Sequence, residues 1–161
     1  MTALFYRYYS SPIGKLLMLS DGTYLTHLDF ELEQFSPNPK WQENNDLPLF
    51  TQVCSALERY FNGEPERFDG IPLAPQGTAF QQRIWQAIRK IGHGETTSYG
   101  ELAKRIENPN AVRAVGGAVG SNPISIIIPC HRILGKDGTL TGFGGGLVAK
   151  RFLLQLENIP Y

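Results

Sequence analysis

The pattern of apolar and polar positions changes character about halfway along this chain of 161 residues. The first third is rich in aromatic and aliphatic strand formers, set in three short segments between turn signals, and it predicts a small antiparallel sheet. The predicted strands cover residues 4–9, 14–20 and 23–30. Asp21 and Gly22, between the last two segments, form a typical two-residue hairpin signal. From Leu47 to Phe61 apolar residues recur at helical spacing, which predicts a helix with Cys54 on its buried face.

Two proline-containing segments separate these elements from one another and from the second half of the chain. Residues 31–46 are polar and are predicted to form a loop. Residues 70–77 hold two prolines and two glycines, and they predict a last extended piece and then a linker. We therefore expect a structural N-terminal α/β domain over residues 1–75 and a second domain over residues 76–161.

The second half has helical periodicity. A capping box at Thr78-Ala-Phe-Gln81 predicts the start of a helix. Its inward stripe is Phe80, Ile84, Ile88 and Ile91. A second capping box, Ser98-Tyr-Gly-Glu101, opens a helix that is predicted to end near Ile106, and Asn110 is expected to cap a third helix over residues 111–120. Two short helices joined by a tight turn have the outline of a helix-turn-helix, although helical hairpins are also common in proteins that never touch DNA.

The third predicted helix consists almost entirely of small residues. Gly116 and Gly117 lie inside it, and an interior glycine costs a helix roughly 1 kcal/mol relative to alanine. Either another helix packs closely against this one, or a slim helix is needed to enter a narrow DNA groove. Arg113 is its single long cationic side chain.

The candidate chemistry is concentrated at Cys130, where an apolar run over residues 124–128 ends. The run is short enough for a buried strand or extended segment, and Pro129 disfavours a helix before it. His131 and Arg132 come directly after the cysteine, and a positive neighbourhood favours the thiolate, which is the nucleophilic form of cysteine. The simpler alternative is that Cys130 is one more small buried apolar residue.

Two further segments lie beyond this motif. Residues 139–146 are glycine-rich, so they form either a flexible loop or a wall where a flat ligand lies against backbone. Residues 147–157 predict a last amphipathic helix with Glu157 at its end. A carboxylate there opposes the helix dipole, which favours a specific partner for Glu157, and a solvated charge at the helix end is the simpler alternative. The predicted packing positions of this helix are Val148, Phe152 and Leu156.

Charge is divided unevenly, although the formal net charge is zero. Residues 1–77 carry 5 Lys and Arg against 10 Asp and Glu, whereas residues 78–161 carry 10 against 5. A basic half is typical of a polyanion binder, and a solvated helical face is the simpler alternative.

Cysteine and histidine usage gives no metal signal. The two cysteines and three histidines are scattered along the chain, without metal-ligand spacing, so no metal site is expected. No apolar run approaches membrane length, and the N-terminus lacks the basic start and apolar core of a signal peptide. These features predict a cytoplasmic protein.

The segment Ile128-Pro-Cys-His-Arg132 resembles the active-site signature of the O6-alkylguanine-DNA alkyltransferases, which move an alkyl group from damaged guanine onto their own cysteine. Four further segments extend the resemblance over residues 75–157. They are Ala114-Val-Gly-Gly-Ala118, Ser121-Asn-Pro123, Thr141-Gly-Phe-Gly-Gly145 and Lys150-Arg-Phe-Leu-Leu154. The resemblance implies an α+β fold: a small antiparallel sheet with a helix, ribonuclease H-like, and then a mostly helical, winged-helix-like half with a helix-turn-helix.

The resemblance also implies roles in catalysis. Cys130 would accept the alkyl group, with His131 as its base through a water and Glu157 holding the imidazole in the right tautomer. Tyr99 would press on the phosphate beside the target nucleotide and donate a hydrogen bond to the departing base. One turnover would consume the protein, and no cofactor would be needed because the damaged DNA supplies the alkyl group.

A further set of residues is implied to bind duplex DNA that carries O6-alkylguanine, with O4-alkylthymine as a second candidate lesion. Arg113 would fill the gap left in the base stack when the nucleotide is rotated out, and Asn122 would tie the recognition helix to the active-site segment. The implied DNA-binding residues are Arg113, Tyr99, Ala114, Gly117, Gly120, Asn122 and Arg132. The protein is expected to act as a monomer, with self-association on DNA left open.

The implied substrate pocket includes the glycine-rich segment. Its residues are Ile133, Phe143, Gly144, Gly145 and Lys150. The backbone carbonyls of Cys130 and Ile133 would accept the exocyclic amine of guanine. Phe143 and Gly144 stand where the family often has tyrosine and then serine or alanine, which predicts a roomier pocket that admits bulky alkyl groups.

Two alternative functions come from other classes. One is a lesion-binding module without transfer activity, but the alkyltransferase-like proteins of this kind carry tryptophan where this chain has Cys130. The other is a cysteine hydrolase that uses Cys130, His131 and Glu157, which gives no reason for a glycine-rich helix or for Arg113. Multiple turnover would distinguish the hydrolase.

Overall fold

The structure is a computed structural model that describes residues 4–30, 38–143 and 146–161. The chain folds as two compact units, Met1–Gln76 and Gly77–Tyr161. The first contains a sheet and a helix, and the second is mostly helical, so the α+β prediction is confirmed.

The sheet of the first unit has the strand order β3-β2-β1-β4. Its strands are β1 (Phe5–Ser11), β2 (Gly14–Ser20), β3 (Leu25–Phe30) and β4 (Gln42–Glu43). The three long strands are antiparallel, as predicted, and the short β4 adds to β1 in parallel. Because β4 lies in the segment predicted as a loop, sequence reasoning missed it; the rest of that prediction, over residues 31–37, lies outside the described residues.

The turn between β2 and β3 differs from the predicted two-residue hairpin. Four residues, 21–24, separate the paired ends Ser20 and Leu25. The Asp21 carboxylate accepts hydrogen bonds from the backbone N–H groups of Thr23 and Tyr24 at 2.9 and 2.8 Å. This local Asx turn competes with the tight hairpin that Asp-Gly favours.

Helix α1 (Pro48–Phe61) covers the sheet. Phe50, Val53 and Leu57 are fully buried on its inner face, together with apolar residues of β2 and β3. Cys54 is only half-buried, so it is less enclosed than the prediction of a buried face implied. The predicted extended piece is present: Leu25 donates to the Pro72 carbonyl and accepts from the Ala74 N–H.

The second unit consists of short helices and one small parallel strand pair. Its elements are α2 (Ala79–Arg89), β5 (Thr97–Ser98), α3 (Tyr99–Arg105), α4 (Val112–Gly120), β6 (Ile133–Leu134) and α5 (Leu147–Leu156). Two 3-10 turns, Cys130–Arg132 and Lys136–Gly138, flank β6. Pairing of Thr97 with Ile133 brings the start of α3 beside the Cys130 turn.

Local capping fixes where these helices begin. Thr78 and Gln81 form the predicted reciprocal box, and the Ser98 hydroxyl accepts from the Glu101 N–H. The prediction that Asn110 caps α4 was wrong, because the N-cap residue is Ala111 and no side chain caps it. On the inward stripe of α2, Ile84, Ile88 and Ile91 are buried and Phe80 is half-buried.

Helices α2 and α4 are joined through a buried tryptophan. Trp85 is 2 % exposed, and its indole N–H donates to the Ala118 carbonyl at 2.9 Å. Gly77 lies against the same ring, and a Cβ there would be 2.5 Å from Trp85 Cη2. Such a distance is far inside van der Waals contact, so this position needs glycine.

The apolar run before Cys130 is not the extended segment that the sequence predicted. Ile128 donates to the Ile124 carbonyl at 3.1 Å, Ile127 donates to the Ser125 carbonyl at 2.8 Å, and Ile126 has φ +71°. The run therefore folds into consecutive turns. Its apolar side chains required burial, and turns satisfy that requirement as well as a strand does. A β-branched residue at positive φ is strained, so the surrounding packing must hold it there.

Helix α5 presents a different face to the core from the predicted one. Val148 is 85 % exposed, and Phe152 and Leu156 are half-buried. The buried residues of this helix are Ala149, Lys150, Leu153 and Leu154. The apolar positions of α5 allowed either of two rotations of the helix about its axis. The observed rotation is favoured because it brings the Lys150 ammonium to hydrogen-bond acceptors inside the protein. Among the described residues, no helix is long and apolar enough to cross a membrane.

Candidate active site

Cys130 opens a 3-10 turn directly after Pro129. Its N–H donates to the Ile128 carbonyl at 2.8 Å, and the residue is buried, with 8 % of its surface exposed. The sequence predicted a thiol at the end of an extended segment; the structure instead holds it on a tight turn. A turn places three successive side chains on different sides of the backbone, and this separates Cys130 from His131 and Arg132.

His131 points inward to Glu157. Its Nε2 lies 2.6 Å from Glu157 Oε2, and the two residues are 0 % and 2 % exposed. An ionised carboxylate only accepts, so the neutral imidazole donates from Nε2 and carries its lone pair on Nδ1. The expectation that Glu157 has a specific partner at the end of α5 is met by this pair.

Arg132 also turns inward, toward the same carboxylate. Its Nε donates to Glu157 Oε1 at 2.8 Å, its Nη2 to Oε2 at 3.2 Å, and its Nη1 to the Ile91 carbonyl at 2.6 Å. The residue is 6 % exposed. This corrects the placement of Arg132 among the DNA contacts: its guanidinium is engaged inside the protein, where it orients Glu157.

Glu157 accepts a further hydrogen bond from the Gly94 N–H at 3.0 Å. Burial alone would raise the pKa of this carboxyl, but hydrogen bonds and charges from His131 and Arg132 hold it well below its usual range. Burial lowers the pKa of His131, against the opposing effect of Glu157. At neutral pH the site therefore holds an ionised carboxylate and a neutral imidazole, the state in which histidine can act as a base.

Asn122 ties the end of α4 to the Cys130 segment. Its Nδ2 donates to the Ile128 carbonyl at 2.8 Å, and its Oδ1 accepts from the Ile124 N–H at 2.9 Å. This geometry matches the tie that the resemblance implied. Asn122 is 8 % exposed and both ends of its amide are bound to backbone, so it supports the end of α4 from inside the protein.

Tyr99, at the start of α3, is linked to Lys150 through Thr141. The Tyr99 hydroxyl lies 2.8 Å from Thr141 Oγ1, and Lys150 Nζ donates to the same Oγ1 at 3.1 Å. Lys150 is 1 % exposed and also donates to the Ile133 carbonyl at 2.7 Å. Burial lowers the pKa of Lys150, and the Cys130 thiolate acts in the opposite direction. The predicted pocket residues Ile133 and Lys150 are thus in direct contact.

Helix α4 exposes one face made of small residues and one cation. Its exposed residues include Arg113, Ala114, Gly117 and Gly120. Added Cβ atoms at Gly117 and Gly120 would meet nothing within 4 Å, whereas one at Gly116 would lie 3.9 Å from the Tyr99 ring. Close helix packing, the alternative weighed for these glycines, therefore does not account for Gly117 or Gly120.

The remaining predicted pocket residues lie in the glycine-rich segment. Phe143 is half-buried, and Gly144 and Gly145 lie outside the described residues. Across the described ranges, no cluster of three or more His, Cys, Asp or Glu side chains is arranged to hold a metal ion.

Sequence reasoning gave no role to three groups of this site. They are the Thr141 hydroxyl, the Gly94 N–H and the Ile91 carbonyl. Thr141 belongs to the Thr-Gly-Phe motif, so its hydroxyl beside a glycine-rich segment was a usable signal. The two backbone groups carry no residue-type signal, because every residue except proline offers the same N–H and carbonyl.

Two family models divide the chain between them. Residues 79–159 match the 6-O-methylguanine DNA methyltransferase, DNA binding domain, and residues 4–75 match the 6-O-methylguanine DNA methyltransferase, ribonuclease-like domain. The first of these matches contains Cys130 and the buried pair of His131 and Glu157. The chain belongs to the 6-O-methylguanine DNA methyltransferase family.

Relatives and solved structures agree with this assignment. The chain is 73% identical over 161 residues to a methylated-DNA--protein-cysteine methyltransferase of Haemophilus influenzae, covering 100% of this chain and 90% of the relative. It is 49% identical to the Methanosarcina mazei protein of the same name, over 96% and 98% of the two chains. The crystal structure of Mycobacterium tuberculosis OGT in complex with DNA matches with TM-score 0.85 and 49% identity, over 95% and 92% of the two chains.

Proposed function

We propose that this protein repairs O6-alkylguanine in duplex DNA by transferring the alkyl group irreversibly to its own Cys130. The observation that carries the proposal is the buried pair of His131 and Glu157, in which His131 directly follows Cys130. The same unit contains the exposed small-residue face of α4. A lesion-binding module would have no use for a thiol beside a buried base. The names of the relatives, methylated-DNA--protein-cysteine methyltransferases, describe the same reaction.

The reaction is a nucleophilic displacement. His131 takes the Cys130 thiol proton, through a water, and Glu157 stabilises the imidazolium that forms. The thiolate sulfur attacks the alkyl carbon, an S–C bond forms as the C–O6 bond breaks, and the bonding pair leaves with the guanine. The guanine anion takes up one proton and His131 returns one to water, so guanine and a thioether on Cys130 are the products. The protein is consumed because nothing in the reaction regenerates the thiol.

DNA binding requires the target base to leave the stack, since its O6 substituent cannot be reached inside a duplex. We assign this task to α4. Of its exposed residues Arg113, Ala114, Gly117 and Gly120, only Arg113 has a long side chain. A slim face allows the helix to approach the minor groove, and Arg113 fills the vacated place in the stack. Tyr99 presses on the neighbouring phosphate.

The extruded base is proposed to lie between Phe143 on one side and Ile133 and Lys150 on the other. The Ile133 carbonyl already accepts from Lys150, and its second lone pair can take the exocyclic amine of guanine. The Cys130 carbonyl, which accepts from the Ile133 N–H, is proposed as a second acceptor for the same amine. We further propose that the protein acts as a monomer in the cytoplasm.

A mass spectrum of the intact protein after mixing with excess duplex that carries one O6-methylguanine tests this function. We expect a gain of one methyl per chain, located on the Cys130 peptide, present in Cys54→Ala and absent in Cys130→Ala. Lesion binding without a mass gain would establish the binding module instead. Repeated product release without a mass gain would establish the hydrolase.

A further inference from the structure

The hydroxyl of Thr141 lies between two groups of the proposed site. Tyr99 Oη is 2.8 Å from Thr141 Oγ1, and Lys150 Nζ is 3.1 Å from the same atom. The three polar groups therefore form a continuous row from a buried ammonium to the phenol. Neither the family matches nor the names of the relatives say anything about Thr141.

The donor and acceptor capacities of these groups fix the direction of one of the two hydrogen bonds in this row. An ammonium only donates, so Thr141 Oγ1 accepts from Lys150. A threonine hydroxyl has a single proton, and with Lys150 on one of its lone pairs that proton is available for the Tyr99 oxygen. If Thr141 donates to Tyr99, the phenolic proton of Tyr99 points away from Thr141 and is left for another acceptor.

Lys150 is held firmly as the donor to Thr141. Its Nζ has three acceptors, which match its three protons: the Ile133 carbonyl at 2.7 Å, Thr141 Oγ1 at 3.1 Å and the Thr141 carbonyl at 3.3 Å. The residue is 1 % exposed, so water cannot replace these partners. Burial also lowers the pKa of Lys150, which makes its protons better hydrogen-bond donors.

Thr141 is held from its other side by Gly135. A Cβ on Gly135 would lie 2.8 Å from Thr141 Cγ2 and 3.2 Å from the Thr139 carbonyl oxygen. The Gly135 N–H donates to that same carbonyl at 2.8 Å. The methyl group of Thr141 thus rests against backbone, which restricts the χ1 rotation that would carry its hydroxyl away from Tyr99.

We propose that Thr141 is a positioning residue for alkyl transfer, which receives a hydrogen bond from Lys150 and donates one to Tyr99, so that the Tyr99 O–H is directed at the leaving guanine. The inference rests on the proposed function. As negative charge develops on the guanine, the hydrogen bonds Lys150→Thr141→Tyr99→base all point the same way and polarise one another. Such preorganised donors stabilise charge without reorganising during the reaction.

The test is the single-turnover rate of transfer from an O6-methylguanine duplex, measured at saturating DNA for the full chain. Thr141→Val keeps the shape of the side chain and removes the hydroxyl, and we expect the rate to fall roughly tenfold, the value of one hydrogen bond near the upper end of its usual range. The DNA concentration at half-saturation should not change, because Thr141 acts on the transition state. Thr139→Val is the matched control: its hydroxyl donates to the Lys136 carbonyl at the surface, and its rate should equal that of the wild type.

Two comparisons separate positioning from a structural role. Thr141→Ser should keep most of the rate, whereas Thr141→Ala should lose as much as Thr141→Val. The serine and alanine variants both lack the threonine methyl group, so looser packing cannot explain a difference between them. In a double-mutant cycle, Tyr99→Phe combined with Thr141→Val should be no slower than Tyr99→Phe alone, because the hydroxyl of Thr141 acts only through the phenol.

Each other result overturns the inference in an identifiable way. A wild-type rate in Thr141→Val, equal rates for Thr141→Ser and Thr141→Ala, or additive losses in the cycle would each show that Thr141 does not act through Tyr99. Those results leave alkyl transfer itself intact. If the wild-type chain gains no methyl group at all, the proposed function fails and the positioning role fails with it.

Discussion

At the scale of single residues, one carboxylate organises the site. Glu157 accepts hydrogen bonds from His131, from two nitrogens of Arg132 and from the Gly94 N–H, while it is 2 % exposed. A buried carboxylate is costly unless all its lone pairs are satisfied, and here four donors meet two oxygens. The charge of Arg132 offsets that of Glu157, so His131 can stay neutral beside a carboxylate.

Glu157→Gln tests that arrangement. The amide keeps the shape of the side chain but presents one oxygen and one NH₂ group to donors that need two oxygens. We expect the transfer rate to fall roughly 100-fold or more, the usual range for loss of base catalysis. Folding stability should fall by about 3 kcal/mol or more, because the charge of Arg132 is left buried and uncompensated.

The matched control for this variant is Glu101→Gln. Glu101 forms an exposed pair with Lys104 at 3.4 Å, and its loss should change stability by less than about 1 kcal/mol. Stopped-flow transfer rates and urea unfolding of both variants check the prediction. Equal effects in the two variants would contradict the role of Glu157.

The same pair makes stability depend on pH. The pKa of His131 is lowered from 6.5 by burial, so below pH 6.5 the unfolded chain binds a proton that the folded protein does not. The contribution of His131 to the free energy of unfolding is therefore fully present above pH 6.5 and decreases as the pH falls below 6.5. The pKa of Glu157 is depressed, so its contribution is complete above its unfolded pKa of about 4.3 and is lost as pH falls further.

Urea unfolding between pH 4 and 8 measures this dependence. Burial also lowers the pKa of His27, which therefore contributes to the same pH dependence. In His27→Gln the free energy of unfolding should still decrease below pH 6.5, because His131 remains. The decrease should be smallest in the variant that carries both His27→Gln and His131→Gln. A stability that rises as pH falls from 7 to 5 would contradict the neutral state of His131.

At the scale of elements, α4 shows a helix whose composition weakens it. Val115, Ala118 and Val119 are buried, while the glycines at 117 and 120 face open space. An interior glycine such as Gly117 reduces helix stability, and packing inside this unit gives no reason for it. The reason we propose lies outside the chain, in a DNA groove that leaves no room for a side chain.

Gly117→Ala separates stability from binding. We expect the variant to be more stable by up to about 1 kcal/mol, because alanine has the higher helix propensity and its Cβ meets nothing. Its affinity for duplex DNA, measured by fluorescence anisotropy, should decrease. Gly100→Ala on α3, where a Cβ would meet only Ser98 Oγ at 3.9 Å, is the control and should leave the affinity unchanged. Unchanged DNA affinity in Gly117→Ala would remove the proposed role of this face.

At the scale of the whole molecule, the described groups of the proposed chemistry all belong to the unit Gly77–Tyr161. The excess of Lys and Arg also lies in this part of the chain, over residues 78–161. The reaction changes this unit permanently, because the alkyl group stays on a residue that is only 8 % exposed in a close-packed turn.

We therefore expect the methylated protein to be less stable than the unmodified one. Adding a methyl group to a packed site typically costs about 1–3 kcal/mol, so roughly 2–10 °C in Tm is expected for a chain of this size. Differential scanning calorimetry of both forms, after removal of DNA, measures the difference. Cys130→Ala treated with the same duplex should show no shift. An unchanged or higher Tm of the methylated form would mean that the Cys130 turn has room for the product.

The sequence by itself determined the elements with local signals and the types of residue that carry the chemistry. The capping box at Thr78 and the N-cap at Ser98 depend on groups three residues apart, so they can be recognised without the fold. The strands of the N-terminal sheet were recognised from the local pattern of their residue types. The Cys-His-Arg motif and the glycines of α4 were visible for the same reason. Resemblance to a family then gave those residues expected roles.

Tertiary structure alone decided where side chains point. Arg132 turns to Glu157, 25 residues away, and the Gly94 N–H meets the same carboxylate across 63 residues. Val148 faces solvent while Lys150 is buried, because the partners of the Lys150 ammonium lie on other segments of the fold. Hydropathy records that a residue prefers burial, but a buried polar group goes where its hydrogen bonds are satisfied, and those partners become neighbours only when the chain has folded.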